Sequence, residues 1–133
     1  MRVLGVDYGT KRIGLAISDE TGTVAQALGH VRPLVGEVIR IATEYGVAKI
    51  VVGVPRRLDN TASEQTERTL AFIAALRAAG SLPVEEWDER LTTVQAERLL
   101  LEGNVRRRQR REKRDQLAAQ LLLQSYLDAH PAL

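Results

Sequence analysis

Apolar positions along this chain fall into two rhythms, short β-branched runs and longer stretches at helical spacing. Arg2 to Asp7 is a nearly continuous apolar run ending in a carboxylate, the pattern of a strand buried on both faces. Ile13 to Ser18 predicts a second strand, with Asp19-Glu20-Thr21-Gly22 as its turn. Val24 to Val31 predicts a third, weakened at its end by Gly29 and His30. Pro33 suits the first turn of a helix. Val35, Val38, Ile39, Ala42 and Tyr45 follow at helical spacing, and Gly46 closes that helix. Lys49 to Val54 is another buried strand, stopped by Pro55 and followed by a polar loop over Arg56 to Asn60.

The second half repeats the alternation. A helix is expected from about Ala62 to Ala79, ended by Gly80, with Leu70, Ile73, Ala74 and Arg77 along one stripe. Pro83 to Trp87 predicts the fifth strand, delivering Asp88 and Glu89 at its end. Thr92 and Gln95 form a capping box for a helix through Leu101, ended by Gly103-Asn104. The last helix is expected from around Glu112 to Ala129, before Pro131. The order β-β-β-α-β-α-β-α-α predicts a strand meander extended by two right-handed strand–helix–strand units. The expected architecture is α/β: a five-stranded mixed sheet with helices on both faces.

Length and composition narrow the setting. A chain of 133 residues makes one domain with a real core. The absence of cysteine excludes disulfides and thiolate metal sites, and suits a reducing cytoplasm. No apolar run approaches a membrane span, and the N-terminus enters a strand without a signal segment, so no membrane partner is expected. The net charge of +2 hides an asymmetry. Residues 105–114 hold seven of the nineteen basic residues and one acid, leaving a mildly acidic body. One concentrated, arginine-rich segment points to a polyanion contact at a defined place. The alternative is a solvated charge run, and both descriptions fit a mobile arginine loop that clamps nucleic acid.

Candidate chemistry gathers at element ends. Asp7 closes the first strand, and Gly9, Thr10, Lys11 and Arg12 follow with a permissive backbone, a hydroxyl and two cations. Such a turn can hold a metal beside a phosphate, or Asp7 can simply cap the backbone. Asp88 and Glu89 end the fifth strand. Asp115, Ala119, Leu122 and Tyr126 recur at helical spacing, which places a carboxylate on an otherwise apolar face beside the small Ala118 and Ala119. An Asp in the first turn of a helix can serve only as a cap; three acids at converging ends favour Mg²⁺ or Mn²⁺, one ion or two. Two such ions about 4 Å apart can promote phosphodiester hydrolysis. His30 and His130 show no ligand spacing, and Trp87 suits the core.

Four segments carry a family resemblance: Gly5-Val6-Asp7-Tyr8-Gly9, Val52-Gly53-Val54-Pro55, Trp87-Asp88-Glu89-Arg90-Leu91-Thr92-Thr93, and Lys113-Arg114-Asp115-Gln116-Leu117-Ala118-Ala119. In this order the chain resembles the YqgF/RuvX family of RuvC-like nucleases with a ribonuclease H-like fold. The resemblance implies a Holliday junction resolvase, a nuclease maturing the 5′ end of pre-16S ribosomal RNA, or both. It also implies an acidic metal site at Asp7, Asp88 or Glu89, and Asp115. RuvC proper has an acid at the end of its fourth strand, where this chain has Gly53-Val54-Pro55. RuvC also has two acids three apart on its last helix; here Ala118 stands three after Asp115, and Glu112 three before it.

The leading functional expectation is a metal-dependent endonuclease acting on branched DNA or precursor ribosomal RNA. Lys11, Arg12 and the arginines Arg106, Arg107, Arg108, Arg110 and Arg111 would hold phosphates. Symmetric cutting of a junction would need two sites, hence a homodimer. The alternative is a non-catalytic nucleic-acid-binding or ribosome-assembly factor of the same fold. Sugar-kinase and actin-like ATPases share a glycine-flanked Asp but need two such domains, which this length does not supply.

Overall fold

The computed structural model describes residues 1–57, 59, 61–91 and 107–131, with the side chains of 107–116 left aside. Five strands, β1 (Val3–Asp7), β2 (Ile13–Ser18), β3 (Ala25–Val31), β4 (Lys49–Val54) and β5 (Val84–Asp88), form one sheet in the order β3-β2-β1-β4-β5. The meander β1-β2-β3 is antiparallel, whereas β4 and β5 join parallel to β1. The parallel crossovers carry α1 (Val35–Glu44) and α2 (Glu64–Ala79), and α3 (Arg107–Ala129) closes the chain. The expected mixed sheet is therefore present, and the C-terminal ends of β1, β4 and β5 share one edge.

Strand parity divides the core. Leu4 and Val6 with Ile50, Val52 and Val54 face α1 and α2, and pack on Val38, Ala42, Phe72, Ile73 and Leu76. Val3 and Val51 face the other way, joining Ala119, Leu122, Leu123 and Tyr126 of α3. Gly5 lies on this second face, where a methyl group would stand 2.8 Å from Leu123 Cβ and 3.3 Å from the Ala119 carbonyl oxygen. The missing side chain lets α3 lie against β1. Gln124 and Gln120 then pin the first residue of the edge strand: Gln124 Oε1 accepts from the Ala25 N–H at 2.9 Å, and Gln120 Nε2 donates to the Ala25 carbonyl at 3.0 Å.

Helix and strand ends refine the expected boundaries. Gly46, at φ +62°, closes α1 as expected, with the Val47 N–H returning to the Ala42 carbonyl. Pro33, however, is not in the first turn. A tight turn from the Leu34 N–H to the Arg32 carbonyl holds it outside, and the helix starts at Val35. Val24 belongs to the β2–β3 turn, where the Asp19 carboxylate accepts from the Thr23 and Val24 N–H groups at 2.7 and 3.1 Å. Gly29, at φ +111°, does not end β3; it follows a bulge that offsets the pairing between Leu15 and Ala16. Ser63 and Thr66 form a capping box at the start of α2, and the Thr66 hydroxyl also donates to the Pro55 carbonyl, tying that helix to the end of β4.

The largest correction concerns the basic segment. From Arg107 onward it is helix, the opening turns of α3, and not a loop. Arg, Gln, Glu and Lys are all good helix formers, so the local composition supports the extension. The expected helix over 92–101, its Thr92–Gln95 box and Gly103-Asn104 lie outside the described residues, as does Arg106.

Candidate active site

Parity also decides which acids meet. Along β1, Val3, Gly5 and Asp7 alternate onto the α3 face; Val51 and Gly53 do so on β4, and Trp87 then Glu89 do so at the end of β5. Glu89 opens a single 3₁₀ turn, Glu89–Leu91, directly beyond the strand. The side chains of Asp7 and Glu89 hydrogen-bond one another at the shared sheet edge. Two carboxylates can do so only while holding a proton between them. Burial, the first cause, together with the charge of Asp7 and its hydrogen bond, pushes Glu89 up to about 7.

Asp88 points elsewhere. Its oxygens accept from Arg90 Nε at 3.0 and 2.9 Å, and from the Arg90 N–H at 3.0 Å. This fork holds the Asp88 carboxyl below the usual carboxylate range. Arg90 in turn donates to the Arg57 carbonyl at 3.4 Å, which anchors the turn on the loop after β4. The sequence offered Glu89, or Asp88 in its place; their opposite parity separates them. Asp88 is engaged by Arg90, while Glu89 faces Asp7.

Gly53, which reads in the sequence as a missing acid, has a use of its own. A Cβ there would lie 2.8 Å from Glu89 Oε1 and 3.0 Å from Leu122 Cδ2. Glycine leaves the volume that Glu89 fills. A lone glycine in a β-branched strand was the available signal for such a close approach.

Next to Asp7 opens a cleft of about 290 Å³, lined by Gly9, Thr10, Lys11, Arg12, His30 and Ala118 among others. Lys11 and Arg12 thus line the cleft beside Asp7. His30, which had no ligand spacing, also lines the cleft. The small Ala118 lets α3 border it. Trp87 packs edge-on to Tyr126 in the core as expected, and His130 stacks on Tyr126 with ring centroids 4.3 Å apart.

Asp115 lies on α3 one turn before Ala119, well inside the helix. Capping of a first turn therefore does not account for it. Its side chain, and those of Arg107, Arg108, Arg110, Arg111 and Glu112, lie outside the described ones. Among the described residues no group of three or more Asp, Glu or His side chains could hold an ion. What they contribute is a pair of carboxylates, hard oxygen donors suited to Mg²⁺ or Mn²⁺.

A pH dependence follows from the pair. Glu89 keeps its proton in the folded chain up to about pH 7, whereas in the unfolded chain it ionises near 4.5. The folded state binds the extra proton between these values, so stability falls as pH rises from 4.5 to 7 and stays lower above. Without added cation, this loss should amount to something of order 3 kcal/mol. Melting temperatures of the parent and Glu89→Gln across this range give the contribution by difference. A constant difference would show that Glu89 titrates normally.

Solved structures with the same arrangement of strands and helices include *Thermus thermophilus* RuvC bound to a Holliday junction substrate, at 17% identity and a TM-score of 0.60 over 99% of this chain and 98% of that one. The fowlpox virus resolvase with Holliday junction DNA matches at 14% identity and a TM-score of 0.54, over 98% of this chain and 99% of that one. The chain thus has the ribonuclease H-like fold of the junction resolvases. A family model described as "RuvX: Holliday junction resolvase" matches residues 1–129, and the chain belongs to this family. Curated relatives carry the name "Putative pre-16S rRNA nuclease". That of *Syntrophus aciditrophicus* is 50% identical over 97% of this chain and 89% of its own length, and that of *Symbiobacterium thermophilum* is 48% identical over 99% and 95%.

Proposed function

We propose that this chain is a divalent-metal-dependent endonuclease that hydrolyses phosphodiester bonds in structured nucleic acid. The observation that carries the reading is the Asp7–Glu89 carboxylate pair beside a cleft flanked by Lys11 and Arg12. Two acids that share a proton at one sheet edge offer a cation what it needs once that proton leaves. Asp7 and Glu89 would hold Mg²⁺ or Mn²⁺, with Asp115 entering from α3 as a further ligand. A bound cation there supplies positive charge that polarises a phosphoryl oxygen and lowers the pKa of water.

The chain's own groups do the rest. Lys11 and Arg12 neutralise the phosphates entering the cleft. Asp88 acts through Arg90, fixing the 3₁₀ turn so that Glu89 keeps its aim. Ser125 of α3 donates to the Leu91 carbonyl at 3.3 Å and holds the same turn from below. The arginines at the start of α3, with Arg106, add phosphate contacts along one arm of the substrate.

The family description and the relatives' names divide the substrate between branched DNA and precursor ribosomal RNA. Labelled four-way junction and pre-16S 5′-leader RNA, each incubated with Mg²⁺, Mn²⁺ or chelator, test the reading. Cation-dependent cleavage of either substrate is expected, and the preferred one names the substrate class. Paired, symmetric nicks in the junction would require two copies acting together. Tight binding without cleavage under every cation would instead mark a non-catalytic assembly factor.

A further inference from the structure

The cleft beside Asp7 does not end at the β1–β2 turn. A second cleft of about 430 Å³ continues from it, and Lys11, Arg12 and His30 line both. It runs past the end of β3 to α1, where Arg32, Glu37 and Arg40 complete its walls. Four cations and one carboxylate border this extension. Glu37 is the organiser: Arg40 Nη2 donates to its Oε2 at 2.9 Å, and Arg32 Nη2 to its Oε1 at 3.2 Å. Arg40, then Arg32, hold the Glu37 carboxyl below the usual range, so it keeps both guanidinium groups in place at neutral pH. Both side chains remain largely exposed, Arg32 at 76% and Arg40 at 57%. Each has five N–H donors; Glu37 takes one from each, and Glu44 Oε2 accepts a second from Arg40 Nη1 at 3.4 Å, so donors remain on both for a further anion.

We propose that this α1-side extension is a separate phosphate-binding track, which holds the phosphodiester backbone of the substrate away from the cleavage point. It rests on the nuclease reading for the identity of the ligand, but uses none of the acids at the sheet edge. The basic start of α3 and this track are contributed by different elements, so the substrate is held by two independent contacts. Glu37 sets the geometry of the track at the expense of one positive charge.

That arrangement gives substitutions of opposite sign. Arg32→Ala/Arg40→Ala should weaken binding several-fold and lower the log–log salt slope by about 1–2, the share of two phosphates. Glu37→Gln, which raises the local charge, should tighten binding a few-fold at low salt. A merely structural role for the Glu37 cluster would make both variants bind more weakly. Binding is measured in chelator with labelled four-way DNA junction and with labelled pre-16S leader RNA, beside cleavage at saturating substrate and melting temperature. Loss on the DNA arm alone or the RNA arm alone identifies which backbone the track takes. Saturated cleavage should stay at the parent rate. An unchanged affinity and slope in the double variant on both arms, with the parent cleaving normally, overturns the track and leaves the nuclease reading intact. A parent that binds but never cleaves, with the predicted opposite shifts in the two variants, overturns the nuclease reading and leaves the track intact.

Discussion

Asp7→Asn is expected to give a folded protein that binds nucleic acid and cleaves about 10³-fold more slowly or worse. On the proposed reading, losing this anionic group weakens the hold on the cation, and with it several kcal/mol of charge stabilisation at the reacting phosphate, at 1.36 kcal/mol per tenfold in rate. The same change should stabilise the cation-free protein above pH 7, by something of order 1 kcal/mol, because Glu89 no longer ionises beside another carboxylate. Loss of activity with a gain in melting temperature separates a dismantled site from a damaged fold. Asp115→Asn belongs in the same experiment. Because Asp115 lies well inside α3, asparagine there tests no cap, and a matching loss of cleavage would place it in the cation site. Full activity in Asp7→Asn would end the proposal that this edge is catalytic.

Gly53→Ala should produce the second large effect, through a single methyl group. The new Cβ would stand 2.8 Å from Glu89 Oε1 and 3.0 Å from both Glu89 Cγ and Leu122 Cδ2. Glu89 meets the new methyl with the far end of its side chain at the shortest distance, so its carboxylate is the group that gives way. A displacement near 1 Å at a reacting site costs on the order of 10²-fold in rate. Stability should fall only slightly, since overpacking costs about 1–3 kcal/mol and the loss of glycine's unfolded-state freedom offsets part of that. Gly5→Ala is the control. Its methyl meets Leu123 Cβ and a backbone carbonyl of α3, neither of which can swing aside, so the fold suffers before the chemistry does. Cleavage and thermal melts of both variants test the contrast; an active Gly53→Ala would show that Glu89 is not needed where it stands.

Much of this architecture was legible in the sequence because the signals were local. The β-branched runs gave the strands, and Gly46 gave a helix end that the backbone confirms at φ +62°. Asp7 was marked by its position after an apolar run. The separation of Asp88 from Glu89 was not legible. It depends on which face of β5 meets α3, and that parity is fixed by Trp87 packing on Tyr126, a contact between distant segments. Gly53 was read for the acid it is not, since the side chain that fills its place comes from the turn after β5. His30 offered no spacing to read because it comes to the cleft from β3, a segment distant from Asp7 and Lys11 in the chain. Pro33 misled for a simpler reason: its fixed φ suits a turn as well as a helix start.

The two acids of the pair come from the first strand of the chain and from the turn after the last strand. β1 can pair with β2 through a short hairpin, but β5 reaches the sheet only after β4 has docked and α2 has crossed over. Parallel, non-local pairings of this kind form late, because the closure entropy of the intervening chain must be met first. During synthesis, Asp7 therefore emerges and folds into the meander long before Glu89 exists to face it. A chain caught partway, or one whose edge strand has peeled off, has no acid pair. On the proposed reading of the pair, hydrolytic capacity is withheld until the sheet is complete.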